Sequence, residues 1–232
     1  MVYRDRFDAG QRLGQRLLSF QYADVVVLGL SRGGVPVAFE VARVLGAPLD
    51  VAVVRKLGVS FQPELAMGAV GEDGALVLNH EVLALAGVGR SEFVAIEQRE
   101  RAELERRASR YRNGGPRISL ADRTAVVVDD GIATGSTALV ACQVARARGA
   151  ARVVLAVPVA SPSTAAELAR HVDELVCLTT PDRLFAVGQW YRDFSPTTDK
   201  EVIALLSKAV DGTMQTPANR RPGTRTRFRR FP

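Results

Sequence analysis

The residues best suited to chemistry follow a short run of valines in the second half of the chain. Two carboxylates, Asp129 and Asp130, come directly after Val126–Val128. The stretch behind them opens a predicted helix, where unpaired backbone N–H groups and the helix dipole both attract anions. The two carboxylates can accept hydrogen bonds from vicinal sugar hydroxyls beside a phosphate held there. This segment therefore indicates a phosphorylated sugar as its ligand.

Small residues and hydroxyl residues make up the loop behind the two carboxylates. The residues expected to surround the phosphate are Gly131, Ile132, Ala133, Thr134, Gly135, Ser136 and Thr137. Glycine lets the backbone approach an anion closely, and serine and threonine hydroxyls add donors without adding charge. The alternative is a plain turn with one capping side chain, which needs far less than this cluster. A Walker-type loop is excluded because no lysine follows Gly135.

A second loop of similar character follows the first predicted strand. The residues Ser31, Arg32, Gly33 and Gly34 end that strand and open a helix, so free N–H groups and a guanidinium are available to a second anion. Arg55 and Lys56 end the next strand along the chain and add positive charge at the same edge of the sheet. Taken alone, this loop is equally well explained as a plain turn. Together with the later loop, it favours a ligand with two phosphorylated ends.

These loops need a fold that brings the ends of several strands together, and the alternation of predicted strands and helices supplies it. The predicted strands are 24–30, 49–54, 124–128, 152–159 and 174–178, and the predicted helices are 5–20, 35–45, 91–112, 137–148 and 163–169. A hairpin is expected from strands at 66–70 and 75–78. The alternation predicts an α/β fold with an open, mostly parallel, doubly wound sheet and helices on both faces. Ligands of such folds bind where loops leave the carboxyl ends of the strands.

The segment from Val126 to Ala138 resembles the signature of the type I phosphoribosyltransferases, and the resemblance extends over roughly residues 1–210. It implies that residues 131–137 bind the 5-phosphate of phosphoribosyl pyrophosphate (PRPP) and that Asp129 and Asp130 hold the ribose hydroxyls. It also implies Mg²⁺, held by the two aspartates directly or through ribose or water. Ser31–Gly34, with Arg55 and Lys56, would bind pyrophosphate. Arg32 and Lys56 would stabilise the departing charge.

The same resemblance implies transfer of ribose 5-phosphate to a nitrogen acceptor, of which a nucleobase is the expected class, in a homodimer. Residues 57–80 correspond in position to a mobile lid, in which Glu64 or Glu72 could take a proton from the acceptor. Trp190 or Tyr191 would stack on the acceptor, although aromatic residues are more often core or interface residues. One position departs from the hypoxanthine-guanine branch, because Ala133 stands where that branch has an aspartate. The acceptor is therefore not selected by the sequence.

Two other functions are open at this point. The first is a regulator that binds PRPP or a nucleotide without turnover and contacts nucleic acid through a basic tail. The second is a phosphotransfer or phosphatase domain that uses the two aspartates. The second is disfavoured, because the glycine and hydroxyl cluster suits binding of an existing phosphate better than its transfer to aspartate.

Composition sets the outer limits on function. The chain has 232 residues, of which 47% are hydrophobic and 24% charged, which is typical of a globular protein and argues against a collagen-like or wholly disordered one. We expect residues 1–211 to form one domain and residues 212–232 a disordered basic tail, since the net charge of +6 matches the six arginines at 220–230. No apolar run is long enough to span a membrane and no leader is apparent, so we expect a cytoplasmic protein without membrane contact. The two cysteines are expected to be buried thiols.

Overall fold

The computed structural model describes residues 2–21 and 23–214. Its main sheet has five parallel strands in the order β2-β1-β6-β7-β8. These strands are β1 (Val25–Leu30), β2 (Leu49–Ala52), β6 (Thr124–Val128), β7 (Arg152–Val159) and β8 (Glu174–Thr179). The helices are α1 (Arg6–Arg16), α2 (Gly34–Leu45), α3 (His80–Ala86), α4 (Arg90–Arg112), α5 (Ser136–Ala147), α6 (Pro162–Ala169) and α7 (Asp199–Met214). The predicted doubly wound α/β fold is confirmed.

Both faces of the main sheet are covered, which explains why its strands read as continuous apolar runs. Successive residues of a strand point to opposite faces. Val25 and Val27 of β1 accordingly join the core beneath α1, α2 and α7, while Val26 and Leu28 join the core beneath α5 and α6. All six residues of β1 are buried. The central strands are therefore fixed from both sides, and the loops at their ends start from rigid points.

The strand order reverses direction between β1 and β6. The chain runs outward from β1 to β2 on one side and from β6 through β7 to β8 on the other. Helix α2, which follows β1, and helix α5, which follows β6, pack on opposite faces of the sheet. A crevice opens at such a switch point because the two following loops diverge, and this is where ligands of open α/β sheets bind.

A second sheet lies outside the parallel one and is antiparallel. It consists of β3 (Val54–Val59), β4 (Gln62–Gly71) and β5 (Leu76–Leu78). The predicted hairpin is confirmed by the pairing of β4 with β5. The expectation of a single strand over 49–54 is wrong, since β2 ends at Ala52 and β3 begins in the other sheet at Val54. Residues 57–80, expected as a lid loop, are instead largely strand, because β3 and β4 pair along most of their length.

Buried ion pairs attach this second sheet to the body of the protein. Arg112, at the end of α4, lies between Asp50 of β2, at 2.7 Å, and Glu72, which follows β4. The exposed side-chain fractions of Arg112, Asp50 and Glu72 are 6%, 4% and 1%. Removing one partner of such a pair leaves a buried charge uncompensated, which typically destabilises a protein by about 3–5 kcal/mol. The pairs therefore hold the antiparallel sheet and α4 against the parallel sheet.

The two ends of the described chain differ from expectation in detail. Helix α1 ends at Arg16, short of the predicted Phe20, and is capped by Asp5, whose side chain accepts from the Asp8 N–H. Helix α7 was not predicted, and neither was α3. Residues 215–232, most of the expected tail, lie outside the described residues. Within the described ranges, no helix is both long and apolar enough to cross a membrane.

Candidate functional site

The loops after β1 and β6 touch each other at the switch point. A Cβ on Gly33 would collide with Oδ2 of Asp130, and a Cβ on Gly34 would lie 2.5 Å from the carbonyl oxygen of Val128. Only glycine permits this approach, because any side chain would push the loops apart. The peptide bond between Ser31 and Arg32 is cis. The two loops predicted from sequence to bind anions thus form one continuous surface.

Helices α2 and α5 both begin at this surface without a capping side chain. Their N-cap residues are Gly33 and Gly135, and neither can supply a side-chain oxygen to the first N–H groups. Helix α4 also follows a glycine without a side-chain cap, Gly89, whereas α1, α3 and α6 are capped by Asp5, Asn79 and Ser161. The first N–H groups of a helix have no partner within the helix. At α5 those donors lie beside the loop after β6, where an anion can accept from them. At α2 the Val35 N–H donates to Arg32 O at 3.1 Å and Pro36 has no N–H, so the Gly34 N–H is the donor left there.

A cavity of about 170 Å³ lies in the loop after β6. Its lining consists of Asp129, Gly131, Ile132, Ala133, Thr134, Gly135, Thr137, Ala138 and Val187. The loop is fixed from beneath, because the Ile132 N–H donates to Val159 O at 2.8 Å and the Thr164 hydroxyl donates to Ala133 O at 3.0 Å. Six of the seven residues predicted to bind phosphate line the cavity. The seventh, Ser136, is the exposed first residue of α5.

The two aspartates are close enough to perturb each other. Burial raises the pKa of Asp129, and the neighbouring charge of Asp130 raises it further. The pKa of Asp130 is also raised by burial, although Arg6 opposes that shift. The Asp129 carboxylate accepts from the Asp130 N–H at 2.9 Å. Two carboxylates that resist ionisation side by side favour a ligand that brings hydroxyl donors or a cation.

Arg6 is a site residue that the sequence reasoning missed. Its Nε donates to Oδ2 of Asp130 at 2.7 Å, and its Nη1 donates to Ser195 O at 2.8 Å. The guanidinium lies 3.9 Å from the ring centroid of Phe194. The exposed side-chain fractions of Arg6 and Asp130 are 10% and 14%. The first turn of α1 therefore fixes one of the two acids, and nothing in the spacing of Arg6 from Asp130 indicated this.

Tyr191, expected to stack on an acceptor, instead supports the loop after β6. It is buried, and its hydroxyl donates to the backbone oxygen of Asp130 at 2.5 Å. Burial raises its pKa. Trp190 packs against the same aromatic cluster, which contains Tyr3 and Tyr191. The Tyr191 ring is engaged within the protein, whereas Trp190 is partly exposed, and its stacking on an acceptor stays a prediction. Phe185, two residues before Val187 in the chain, has an aromatic ring that is 79% exposed.

The predicted cations are not all brought to the crevice. Nη1 of Arg32 lies 3.8 Å from Oδ1 of Asp199 in α7. Arg55 pairs with Glu100 of α4 at 2.6 Å, and both line a separate cavity of about 460 Å³ with Lys56. This second cavity shares no lining residue with the one after β6. The pyrophosphate roles of Arg55 and Lys56 remain predictions.

Glu72 and Glu64 were the two glutamates predicted as candidates for taking a proton from the acceptor. Glu72 is held in the buried ion pairs with Arg112 and with Arg117, at 3.0 Å from the Nε of the latter. Both partners of its carboxylate are arginines and only 1% of its side chain is exposed, so an acceptor cannot reach it. The side chain of Glu64 lies outside the described residues. Among the described residues, no group of three or more His, Cys, Asp or Glu side chains could hold a metal alone.

Comparison with known proteins agrees with this geometry. The profile of the phosphoribosyl transferase domain matches residues 7–191. The chain is 58% identical over 208 residues to proteins from two strains of Mycobacterium tuberculosis, CDC 1551 / Oshkosh and ATCC 25618 / H37Rv, whose names provisionally describe them as phosphoribosyl transferases. The match covers 90% of this chain and 47% of each relative, so the chain spans about half of their length.

A solved structure is similar over nearly the whole chain. The crystal structure of TT1426 from Thermus thermophilus is 45% identical, with a TM-score of 0.82, and the match covers 90% of this chain and 99% of that one. The profile match extends from α1, next to Arg6, to Tyr191 beneath the loop after β6 and so includes both anion loops. The chain belongs to the phosphoribosyl transferase domain family.

Proposed function

We propose that the protein transfers the ribose 5-phosphate group of PRPP to a nitrogen acceptor and releases pyrophosphate. The observation that carries this proposal is the direct contact between the two uncapped anion loops at the switch point, with Gly33 against Asp130. A ligand with phosphates at both ends of a sugar would engage both loops at once. The two carboxylates lie where the loops meet, and the hydroxyls of that sugar would be beside them.

Binding would place each part of PRPP against groups already described. The 5-phosphate would occupy the 170 Å³ cavity and accept from the N–H groups at the start of α5. Asp129 and Asp130 would accept hydrogen bonds from the ribose 2- and 3-hydroxyls. The pyrophosphate would lie along Ser31–Gly34, where α2 begins. Arg32 would leave Asp199 and bind the departing pyrophosphate. Lys56 is the second cation proposed to bind that pyrophosphate.

The reaction would form a bond from the acceptor nitrogen to the anomeric carbon and break the bond from that carbon to pyrophosphate, which leaves with the electron pair. The acceptor nitrogen then loses its proton to water or pyrophosphate. Positive charge builds on the sugar ring as the bond breaks. The carboxylates of Asp129 and Asp130 are positioned to stabilise that charge, and the loops fix the reacting atoms.

Mg²⁺ fits the donor set of the site. It binds through one or two carboxylates together with substrate phosphates and waters, and the described residues offer two carboxylates rather than a complete cage. The raised pKa of Asp129 indicates that its charge is poorly compensated, which a cation would correct. Asp129 and, through water, Asp130 would hold the ion. When bound, Mg²⁺ supplies charge neutralisation at the pyrophosphate.

The acceptor is proposed to be a nucleobase, and Phe185 is the ring we assign to stack on it. Phe185 is exposed and lies two residues before Val187 in the chain, a residue that lines the phosphate cavity. Exposed aromatic rings bind flat ligands efficiently because they bury a large area with few rotatable bonds. A homodimer is part of the same proposal and is checked by the mass of the protein in solution.

The deciding experiment measures pyrophosphate release from PRPP and Mg²⁺ with a panel of purine and pyrimidine bases. The Asp130→Asn variant should lose most of the activity with some base, while the control Asp122→Asn, at an exposed turn that precedes β6 at the strand's other end, should retain it. No release with any base, while PRPP still binds, would refute the transfer reaction for these acceptors.

The ion pair between Arg6 and Asp130 favours a second candidate, a protein that binds PRPP or a nucleotide without turnover. Arg6 already occupies Oδ2 of Asp130, which leaves that oxygen less available to a reacting sugar. This candidate predicts heat of PRPP binding by calorimetry without pyrophosphate release. Its nucleic-acid contact through the basic tail involves residues outside the described ranges and is tested by removing residues 215–232.

A further inference from the structure

A strongly basic pocket lies beside Arg32, apart from the phosphate cavity. It is formed by the end of α4, the start of α7 and the loop after β1, and has a volume of about 210 Å³. Its lining consists of Arg32, Arg106, Arg107, Arg110, Tyr111 and Asp199. None of the residues that line the phosphate cavity belongs to it. We call it the arginine pocket.

Positive charge is in excess in the arginine pocket. Asp199 is the one acid among its described lining residues, and it lies 3.0 Å from Arg110 and 3.8 Å from Arg32. Glu103, one turn back on α4, pairs with Arg106 and Arg107 at 2.7 and 2.6 Å. Four guanidinium groups thus face two carboxylates. Like charges within one turn of a helix repel each other, so this arrangement is improved by an added anion.

Several donors of the arginine pocket converge on one anionic group, the carboxylate of Asp199. The carboxylate of Asp199 accepts from the Tyr111 hydroxyl at 3.1 Å while it pairs with Arg110 and lies near Arg32. Cations in the last turn of a helix are also favoured by the helix dipole, which accounts for Arg110. The dipole does not account for Arg32, which belongs to another element. Arginine from two elements around one small space is typical of phosphate recognition.

The size of the arginine pocket limits what it can hold. A water molecule takes about 30 Å³ in the liquid, so the pocket has room for about seven waters. This suits a chain of two or three phosphoryl groups. We propose that the arginine pocket binds a condensed phosphate chain, free or as the end of a nucleoside triphosphate, in competition with Asp199 for Arg32 and Arg110.

The test is calorimetric titration of the full chain with tripolyphosphate, without Mg²⁺. The Arg106→Gln/Arg110→Gln double variant should bind about ten- to hundred-fold more weakly, since it loses the charge-assisted hydrogen bonds of two α4 arginines. The matched control is Arg152→Gln/Arg170→Gln, which removes the same charge from exposed ion pairs with Glu174 and Glu167. This control should bind as the unmodified protein does.

A second variant acts in the opposite direction and does not depend on removing arginines. Asp199→Asn frees Arg32 and Arg110 from their internal partner and should bind tripolyphosphate several-fold more tightly. Equal binding by the Arg106/Arg110 variant and the unmodified protein would overturn the proposal, as would an equal loss in the Arg152/Arg170 control. Binding of ATP without binding of tripolyphosphate would also overturn it, whereas similar affinities for both support it.

This outcome is separable from the proposed transferase activity. The Asp130→Asn variant leaves the arginine pocket intact, so it should still bind tripolyphosphate as the unmodified protein does. A protein that releases pyrophosphate from PRPP but fails the tripolyphosphate test would refute only the arginine pocket. A protein that binds tripolyphosphate in the pocket but has no transfer activity would refute only the proposed function.

Discussion

Replacing Arg6 with methionine tests whether the ion pair with Asp130 stabilises the site. The variant keeps an apolar stem over Phe194 and removes the cation 2.7 Å from Oδ2 of Asp130. Breaking a buried pair from one side typically destabilises a protein by about 3–5 kcal/mol. Asp130 can limit this loss by taking a proton. Protonating an ordinary aspartate, with a pKa of about 3.9, costs about 1.36 kcal/mol for each pH unit above that pKa. At pH 7 the loss of stability therefore cannot exceed about 4 kcal/mol.

The pH dependence distinguishes this mechanism from simple loss of packing. Without Arg6 the folded-state pKa of Asp130 rises further above its unfolded value. The resulting loss of folding stability grows as the pH rises from the pKa of Asp130 in the unfolded chain towards its pKa in the folded protein. At pH 5 the cost of protonation is only about 1.5 kcal/mol. We therefore expect Arg6→Met to lower the free energy of unfolding by about 3–4 kcal/mol at pH 7 and by roughly 2 kcal/mol less at pH 5.

Urea unfolding followed by circular dichroism at both pH values measures these differences. Arg16→Met, on the exposed side of the same helix, is the control and should change stability by no more than about 0.5 kcal/mol. In an Asp130→Asn background, Arg6→Met should cost little, because no charge remains to be left unpaired. An equal loss at pH 7 and pH 5, or an undiminished loss in the Asp130→Asn background, would refute the role of the ion pair.

Three further predictions concern the same loops. Asp129→Asn should raise the free energy of unfolding by about 0.5–2 kcal/mol at pH 7. The pKa of Asp129 is raised, so its charge destabilises the fold at pH values above the ordinary pKa of an aspartate. The gain in stability should vanish near pH 4, and urea denaturation at both pH values measures it. Gly33→Ala should weaken PRPP binding in calorimetry and destabilise the fold by about 1–3 kcal/mol, since its Cβ collides with Asp130, whereas Gly89→Ala, with open space around it, should do neither. Phe185→Ser should raise the KM for the acceptor with little change in that for PRPP, and the equally exposed Phe61→Ser should leave both unchanged.

The parallel sheet and the loop after β6 were predictable because their signals are local. A β-branched run followed by two aspartates and a glycine cluster predicts a strand, a turn and the start of a helix from neighbouring residues alone. The antiparallel sheet was only half predictable. The hairpin of β4 and β5 has a recognisable turn, but β3 follows β2 with only Val53 between them, so the two read as one strand. Which sheet a strand joins depends on distant partners rather than on its own residues.

The partners of individual side chains were the least predictable part of the site. Arg6 contacts Asp130 across more than half of the chain, and Arg55 turns to Glu100 rather than to the crevice. Tyr191 was expected at the acceptor because aromatic residues suit both stacking and burial, and sequence alone does not separate the two. Each of these contacts depends on tertiary packing between segments that are far apart in the chain.

The adjacency of β1 and β6 has a consequence for how the protein folds and changes. Strand β1 ends at Leu30, yet its neighbour β6 begins only at Thr124, after β2, the whole antiparallel sheet and the three helices α2, α3 and α4. The entropy lost on closing so long an excursion grows only with the logarithm of its length, so lengthening it costs little stability. The folding rate is more sensitive to the length of the excursion, because the crevice cannot form until these remote strands pair. Length changes in the excursion outside Ser31–Gly34 and the buried ion pairs therefore cost little stability, whereas the crevice requires β1 and β6 to be paired.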